Sequence, residues 1–577
     1  MKTKFFTFFV ALFATTCLWA YDFKSGDLYY NKLSDNYVEV TYENFVMSNY
    51  NNLTSVVIPE TVTNGKQTYT VTAIGLLAFS KATTIQSITI PNTVTKIGGG
   101  AFKSCKIDSI IIPESVTSIG ADAFLYTNIY SNQSNWENKL LYVGDCLVDA
   151  KTSIAAECVI KDGVRLIADE ALADCASLTS ITISNDIKHI GDLVFDGCTS
   201  LTSVIWNAKY CTDAESEHKT IFEEVETQIT SLTFGDSVEH IPAFLCDDMK
   251  NLAAISIPDN VKSIGRHAFY NCTSAKSLSI SNNVIDIPTS AFYNCKSFDT
   301  IVIPNGVTTI ETAAFKYCSS LNTITIPNSV TNIQPSAFES CTSLNSITLP
   351  DSIVCIEQYT FQGCSSLTSI DIPSRVTTIG SRAFMNCTSL VSITMTNNVS
   401  RIERDAFFSC SSLSSIVLSK TLTTIEPCTF YNCSALTSII IPDSVTCIDY
   451  DAFSACSSLT SVILPNSLVT VGTSAFSQCS LLDTICCYAE TPPIVSNSFT
   501  NFNATLYVPC ATISNYETHE EWGKFTNIVC LNSEEIETNI DNTSITIHYD
   551  TQKLLHNGQL IIIRDGKTYN VMGTQVD

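Results

Sequence analysis

The sequence predicts a repeat solenoid rich in β-structure, with a parallel sheet along one face and short turns or helices along the other. Three observations carry that prediction. An aromatic recurs every 23 residues, at Phe269, Phe292, Phe315, Phe338, Phe361, Phe384, Phe407, Phe430, Phe453, Phe476 and Phe499. A cysteine follows three residues after each of the first ten, from Cys272 to Cys479. Between successive aromatics runs one apolar pattern, AF-x-x-C-x-x-L-x-x-I-x-I-P-x-x-V-x-x-I. A chain of 577 residues would otherwise be expected to divide among several globular cores. A fixed period of this length points instead to stacked units.

One unit justifies each element in turn. In Leu344-x-x-Ile347-x-Leu349 the alternation sends Ile347 and Leu349 to one face and Ser346 and Thr348 to the other, as in a short strand. Pro350 removes a backbone donor and ends that strand. Ile353, Ile356 and the next Ala-Phe corner bring the chain back through a turn or short helix with its apolar side inward. Twenty-three residues cannot bury such a face alone, so neighbouring units must share one core. Earlier units carry the pattern at Phe79, Phe102 and Phe195, with Leu172 in the aromatic place.

The pattern sets the domain boundaries. Residues 1–20 are read as an export signal: Lys2 and Lys4 precede an apolar run ending at Ala20, which is short for a membrane span. Residues 21–50 alternate like strands without the repeat and are expected to cap the first unit. The solenoid occupies 51–510 and holds two irregular units. Residues 125–170, with NWENKLLYVGDCLV, suggest an inserted hairpin; 199–243, with DAESEHKTIFEEVE, suggest an acidic loop. Residues 511–541 form a closing segment and linker. Residues 542–577 form a small C-terminal segment, read as two strands about Asp565-Gly566.

The stretches SITIPNTVTKIGGGAF (87–102) and TITIPNSVTNIQPSAF (323–338) resemble leucine-rich repeats, and more narrowly the BspA-like subfamily, over about residues 50–510. The resemblance implies a leucine-rich-repeat superhelix on a secreted or cell-surface protein. It further implies adhesion to proteins or glycans of host or neighbouring cells. The ending YNVMGTQV is similar to the C-terminal sorting segments of surface proteins in anaerobic Gram-negative bacteria. Such bacteria O-glycosylate Asp-Ser/Thr before a small or branched apolar residue, which marks Ser109, Ser237, Thr300, Ser352, Ser444 and Thr484; the repeat itself would also generate that motif.

Composition and motifs limit the chemistry. A net charge of -25 opposes binding to nucleic acid, whose phosphates need a basic stripe. The seven histidines have no partner at metal-ligand or triad spacing, and no phosphate loop, G-x-S-x-G or H-E-x-x-H occurs. Neither an enzyme, a metal nor a cofactor is expected. Thirteen of the 25 cysteines share one repeat position on the inward side of the turn. They read as small buried hydrophobes, with disulfides or a redox role as less favoured alternatives. Adjacent Cys486 and Cys487 are expected to alternate in and out, and Trp206 to pack inward.

The outward strand positions form the candidate binding surface. They are Ser277, Thr300, Thr323, Ser346, Ser369, Ser392, Ser415, Ser438 and Ser461, flanked by Thr348, Asp371 and Thr394. Such a hydroxyl-lined face suits contacts with proteins or glycans; it also suits a strand face that is merely solvated. A glycan- or nutrient-capture protein, or a purely structural envelope protein, is the alternative function.

Overall fold

The computed structural model describes residues 21–43, 50–213, 220–495 and 497–531, together with the backbone of four strands between 544 and 570. The export signal expected at 1–20 and residues 214–219 of the expected acidic loop lie outside the described residues. Two compact units divide the chain, Met1–Leu245 and Cys246–Asp577. Both are built from the predicted rung.

In the second unit the predicted strands pair in parallel, one rung against the next. Thr300–Val302 lies beside Thr323–Thr325, and Thr323 and Ile324 lie opposite Ser346 and Ile347. Ser369–Asp371 pairs likewise with Ser392–Thr394. Because the register shift equals one repeat, like meets like. Ile301, Ile324, Ile347, Ile370 and Ile393 are buried in a row, and the intervening hydroxyl residues face out. A second ladder runs along the return path, which the sequence did not reveal. Its strands are two residues long: Thr309–Ile310, Asn332–Ile333, Cys355–Ile356, Thr378–Ile379 and Arg401–Ile402.

The Ala-Phe corner is a pair of turns rather than a helix. Among the described residues, α-helix is confined to Asn128–Ser131 and Ile513–Glu517. At each regular corner two residues flank the aromatic with positive φ, for example Ser336 (61°) and Ser340 (60°) about Phe338. Each closes a turn, as in Glu339 N–H to Ser336 C=O (3.1 Å) and Cys341 N–H to Phe338 C=O (3.2 Å). The intervening amides donate to the next rung, Phe338 to Thr360 (3.1 Å) and Ser340 to Gln362 (2.7 Å). The corner is therefore itself a ladder, and no backbone group is left for a helix to satisfy.

The corners hold the core in register. The rings from Phe269 to Phe499 stack with centroids 5.2 to 5.8 Å apart. Each ladder thiol from Cys295 to Cys479 donates to the carbonyl of an aromatic 26 residues earlier: Cys341 Sγ to Phe315 O is 3.2 Å, Cys387 Sγ to Phe361 O is 3.1 Å. Burial pushes the Cys364 and Cys479 thiols up to about 12. They remain free thiols, as do the rest of the ladder.

The ends and irregular units interrupt this pattern locally. Phe23–Ser25, Leu28–Lys32 and Tyr37–Thr41 form an antiparallel meander whose last strand runs parallel to Gln67–Ile74. Within 125–170, Leu140–Val143 and Cys146–Ala150 make an antiparallel hairpin that joins the return ladder at Leu166–Ile167. Arg165, buried beside it, reaches Asp145 (2.8 Å) and the carbonyls of Val116 (2.6 Å) and Pro113 (2.8 Å). Trp206 is fully buried, as its register predicts. In the second unit the closing segment ends in Asn527–Leu531, parallel to Thr505–Pro509 and bridged to it by a Cys510–Cys530 disulfide. The C-terminal strands number four: Ser544–Ile547, Thr551–His556, Gln559–Arg564 and Lys567–Asn570, all antiparallel.

Candidate binding face

The face begins with one fact of strand geometry: residues two apart point the same way. With Ile324 or Ile347 held in the core, Thr323 and Thr325, or Ser346 and Thr348, must project outward. Parallel pairing repeats this pair at about 4.8 Å along the ladder, with about 6.6 Å between the two columns. Ser277, Thr300, Thr323, Ser346, Ser369, Ser392 and Ser415 are exposed, as are Thr348, Asp371 and Thr394.

Two of the predicted positions depart from this. Ser438 is half-buried, and Ser461 is only 8% exposed although it pairs in register with Ser438 and Thr484. Neither offers an open contact position, so the accessible hydroxyl face stops at Ser415. The expected alternation of Cys486 and Cys487 gives no exposed thiol: Cys487 is fully buried. Cys486 occupies the outward register beside Ile463 and Tyr507, yet it too is buried, at 6%.

The hydroxyls of this face differ from those of the turns. At the corners and beside the return ladder, Ser and Thr are tied to the preceding rung: Thr331 Oγ1 to Thr308 O (3.4 Å), Thr342 Oγ1 to Ser319 O (3.1 Å), Thr377 Oγ1 to Val354 O (3.3 Å). Among the described residues, Thr323, Ser346, Thr348, Ser369, Ser392 and Thr394 make no side-chain hydrogen bond. Each hydroxyl keeps one donor and two acceptor sites for a partner, and Asp371 adds one negative charge. Val302, 66% exposed, supplies an apolar contact in the same columns.

The six Asp-Ser/Thr positions separate by the same criterion. Ser237 Oγ donates to Asn207 O (2.6 Å) and Ser444 Oγ to Leu422 O (2.5 Å), while Ser352 donates to Val330 O. These three hydroxyls stitch one rung to the next. Thr484 is half-buried and bonded to Asp483 (3.1 Å). Ser109 and Thr300 are exposed.

Among the described residues, no three His, Cys, Asp or Glu side chains gather where they could hold a metal ion. No described helix is long and apolar enough to cross a membrane. What the residues define is a repeat scaffold that presents a regular, polar, accessible strand face.

The family model for the BspA type leucine-rich repeat region matches residues 62–147, 132–243, 215–345, 285–414 and 401–519. The chain therefore belongs to the BspA-type leucine-rich-repeat family. It is similar to a solved leucine-rich repeat protein from Bacteroides ovatus, at 25% identity over 81% of this chain and 94% of that one (TM-score 0.38). It is also similar to a leucine-rich cell surface protein from Faecalibacterium prausnitzii, at 22% identity over 80% and 93% (TM-score 0.31). A leucine-rich repeat protein from Eubacterium ventriosum matches at 22% identity over 54% and 88% (TM-score 0.35). No curated protein matches.

Proposed function

We propose that this chain is an exported or cell-surface adhesin that holds proteins or glycans of host or neighbouring cells with the outward ladder face between Ser277 and Ser415. The observation that carries the reading is the division of hydroxyls. Those of the turns bond to their own backbone, whereas those of the strand face are exposed and unengaged. One hydroxyl contact is weak, but several on a regular array act together against a partner that is itself repetitive. A sugar-capture surface would place aromatic rings on this face for stacking, and neither outward column from Ser277 to Val417 contains one. A protein partner is accordingly favoured over a glycan.

The test is a binding screen of the full chain against matrix proteins and glycans, repeated with Thr323→Lys, Ser346→Lys and Ser369→Lys combined. These positions are exposed and the substitutions leave the core untouched, so folding should persist. At least a tenfold loss of affinity for whatever binds is expected. Unchanged affinity in the triple variant, or no binding by the parent chain to any probe, contradicts the reading.

A further inference from the structure

The outward face changes chemistry partway along the second unit. From Thr325 to Thr394 the second outward column reads Thr, Thr, Asp, Thr; in the next five rungs it reads Val417, Ile440, Ile463, Cys486 and Tyr507. Leu531 and Tyr488 extend this stripe: Cys486 and Leu531 form a small apolar cluster with Ile463, Tyr488 and Tyr507 packed against it. The cluster lies on the outside of the ladder, separate from the Phe and Cys core. Exposure drops from 57% at Val417 to 37% at Ile440 and 6% at Cys486; beyond it Tyr507 and Val529 are half-buried, and Leu531, two residues along from Val529, is 3% exposed. In the first column the exposed Ser415 gives way to Ser461 at 8%.

The same unit carries an element with the complementary need. The four antiparallel strands between Ser544 and Asn570 include the apolar run Gln559-Leu-Ile-Ile-Ile-Arg564. A four-stranded sheet must lay one face on another layer to be stable, and sheets pack face to face at about 10 Å. The tether is short. Only residues 532–543 separate Leu531 from Ser544; extended, they reach roughly 40 Å, and the five steps from Val417 to Leu531 cover about 24 Å at 4.8 Å each. The two surfaces are thus held at high effective concentration.

We propose that the C-terminal segment 542–577 docks on this apolar stripe of its own solenoid, covering the outward face from about Ile440 to Leu531. It ends the hydroxyl face at Ser415 and keeps the stripe from contact with other molecules. Loss of the segment exposes a second, apolar binding surface beside the polar one. The inference stands on the stripe and the tether, and does not need the hydroxyl face to bind anything.

A specific protease site introduced into 532–543 of the full chain tests this. After cleavage, the C-terminal fragment has no covalent link to the rest, because the Cys510–Cys530 disulfide lies before the cut. Size-exclusion chromatography at low micromolar concentration is expected to show both fragments eluting together at the mass of one chain. Ile440→Lys with Ile463→Lys, both on the outward face within the proposed footprint and outside the Phe and Cys core, is expected to release the fragment. Val302→Lys, on the same face outside the stripe, is expected to retain it. Separation of the parent fragments on cleavage overturns the proposal, as does retention by the double variant. Co-elution at twice the mass, or a dimer before cleavage that the double variant dissolves, assigns the stripe to a second copy and also overturns it.

Discussion

At the scale of single residues, the repeat position after each aromatic shows how one side chain serves the fold without serving chemistry. A thiol is small enough for the buried position after each aromatic and can donate one weak hydrogen bond to the neighbouring rung's carbonyl, as Cys387 does to Phe361. Burial disfavours the thiolate, so Cys364 and Cys479 are pushed up to about 12 from an ordinary 9. The sign of the consequence is fixed. The folded state holds its protons more tightly, so these thiols leave stability unchanged below pH 9. Above it they subtract stability, as the thiols of the unfolded chain ionise and the buried ones cannot. A thiol reagent at pH 8 should therefore label none of the ladder cysteines before denaturation. The urea midpoint should be level from pH 6 to 8 and fall by pH 10, as the unfolding free energy drops by roughly 1 kcal/mol per ladder thiol in the region that unfolds. A midpoint that holds through pH 10, or rapid labelling of the folded chain, would contradict the burial.

At the scale of elements, the closing segment is where the ladder needs help. Among the described residues Asn527–Leu531 pairs on one side only, and Trp522 of the closing segment is buried, its Nε1 donating to Pro493 O at 2.9 Å. The Cys510–Cys530 disulfide ties this last strand to its neighbour, in contrast to the free thiols of the ladder. Cys510→Ser with Cys530→Ser should cost about 3 kcal/mol. In a chain of nearest-neighbour rungs that loss stays local. Hydrogen exchange should accelerate in 505–531 and stay unchanged in 300–400; uniform acceleration would show that the cap does not unfold as a local element.

Elements also mark how far the sequence could be read. The strand through Ser346 to Leu349 was legible because alternation and a terminal proline are both written in it. The return ladder was not, since a two-residue strand such as Cys355–Ile356 shows no alternation. The paired turns left a faint trace: Asn271, Asn294, Gly363, Asn386 and Asn432 stand at the second positive-φ position, where such residues are favoured. The outward direction of Ser277 to Ser415 was legible, because it follows from strand alternation. The burial of Ser461 was not, because alternation alone gives it the same outward register as Ser438.

At the scale of the molecule, the surfaces of one repeated unit differ in what their side chains bond to. The core is built from Phe, Cys, Leu and Ile at fixed steps. The turns are stitched by hydroxyls that bond backward, whereas on the strand face, among the described residues, Thr323, Ser346, Thr348, Ser369, Ser392 and Thr394 make no side-chain hydrogen bond. A net charge of -25 should make attraction to a basic partner weaken with added salt. The most direct measurement is hydroxyl-radical footprinting of the full chain with and without a bound partner. Val302 (66% exposed) reports the hydroxyl face; Ile285 (60%) and Val354 (51%) report the return-ladder side. Binding is predicted to shield Val302 and leave Ile285 and Val354 as reactive as before. Shielding of Ile285 and Val354 with Val302 unchanged would contradict the assignment of the contact to the hydroxyl face.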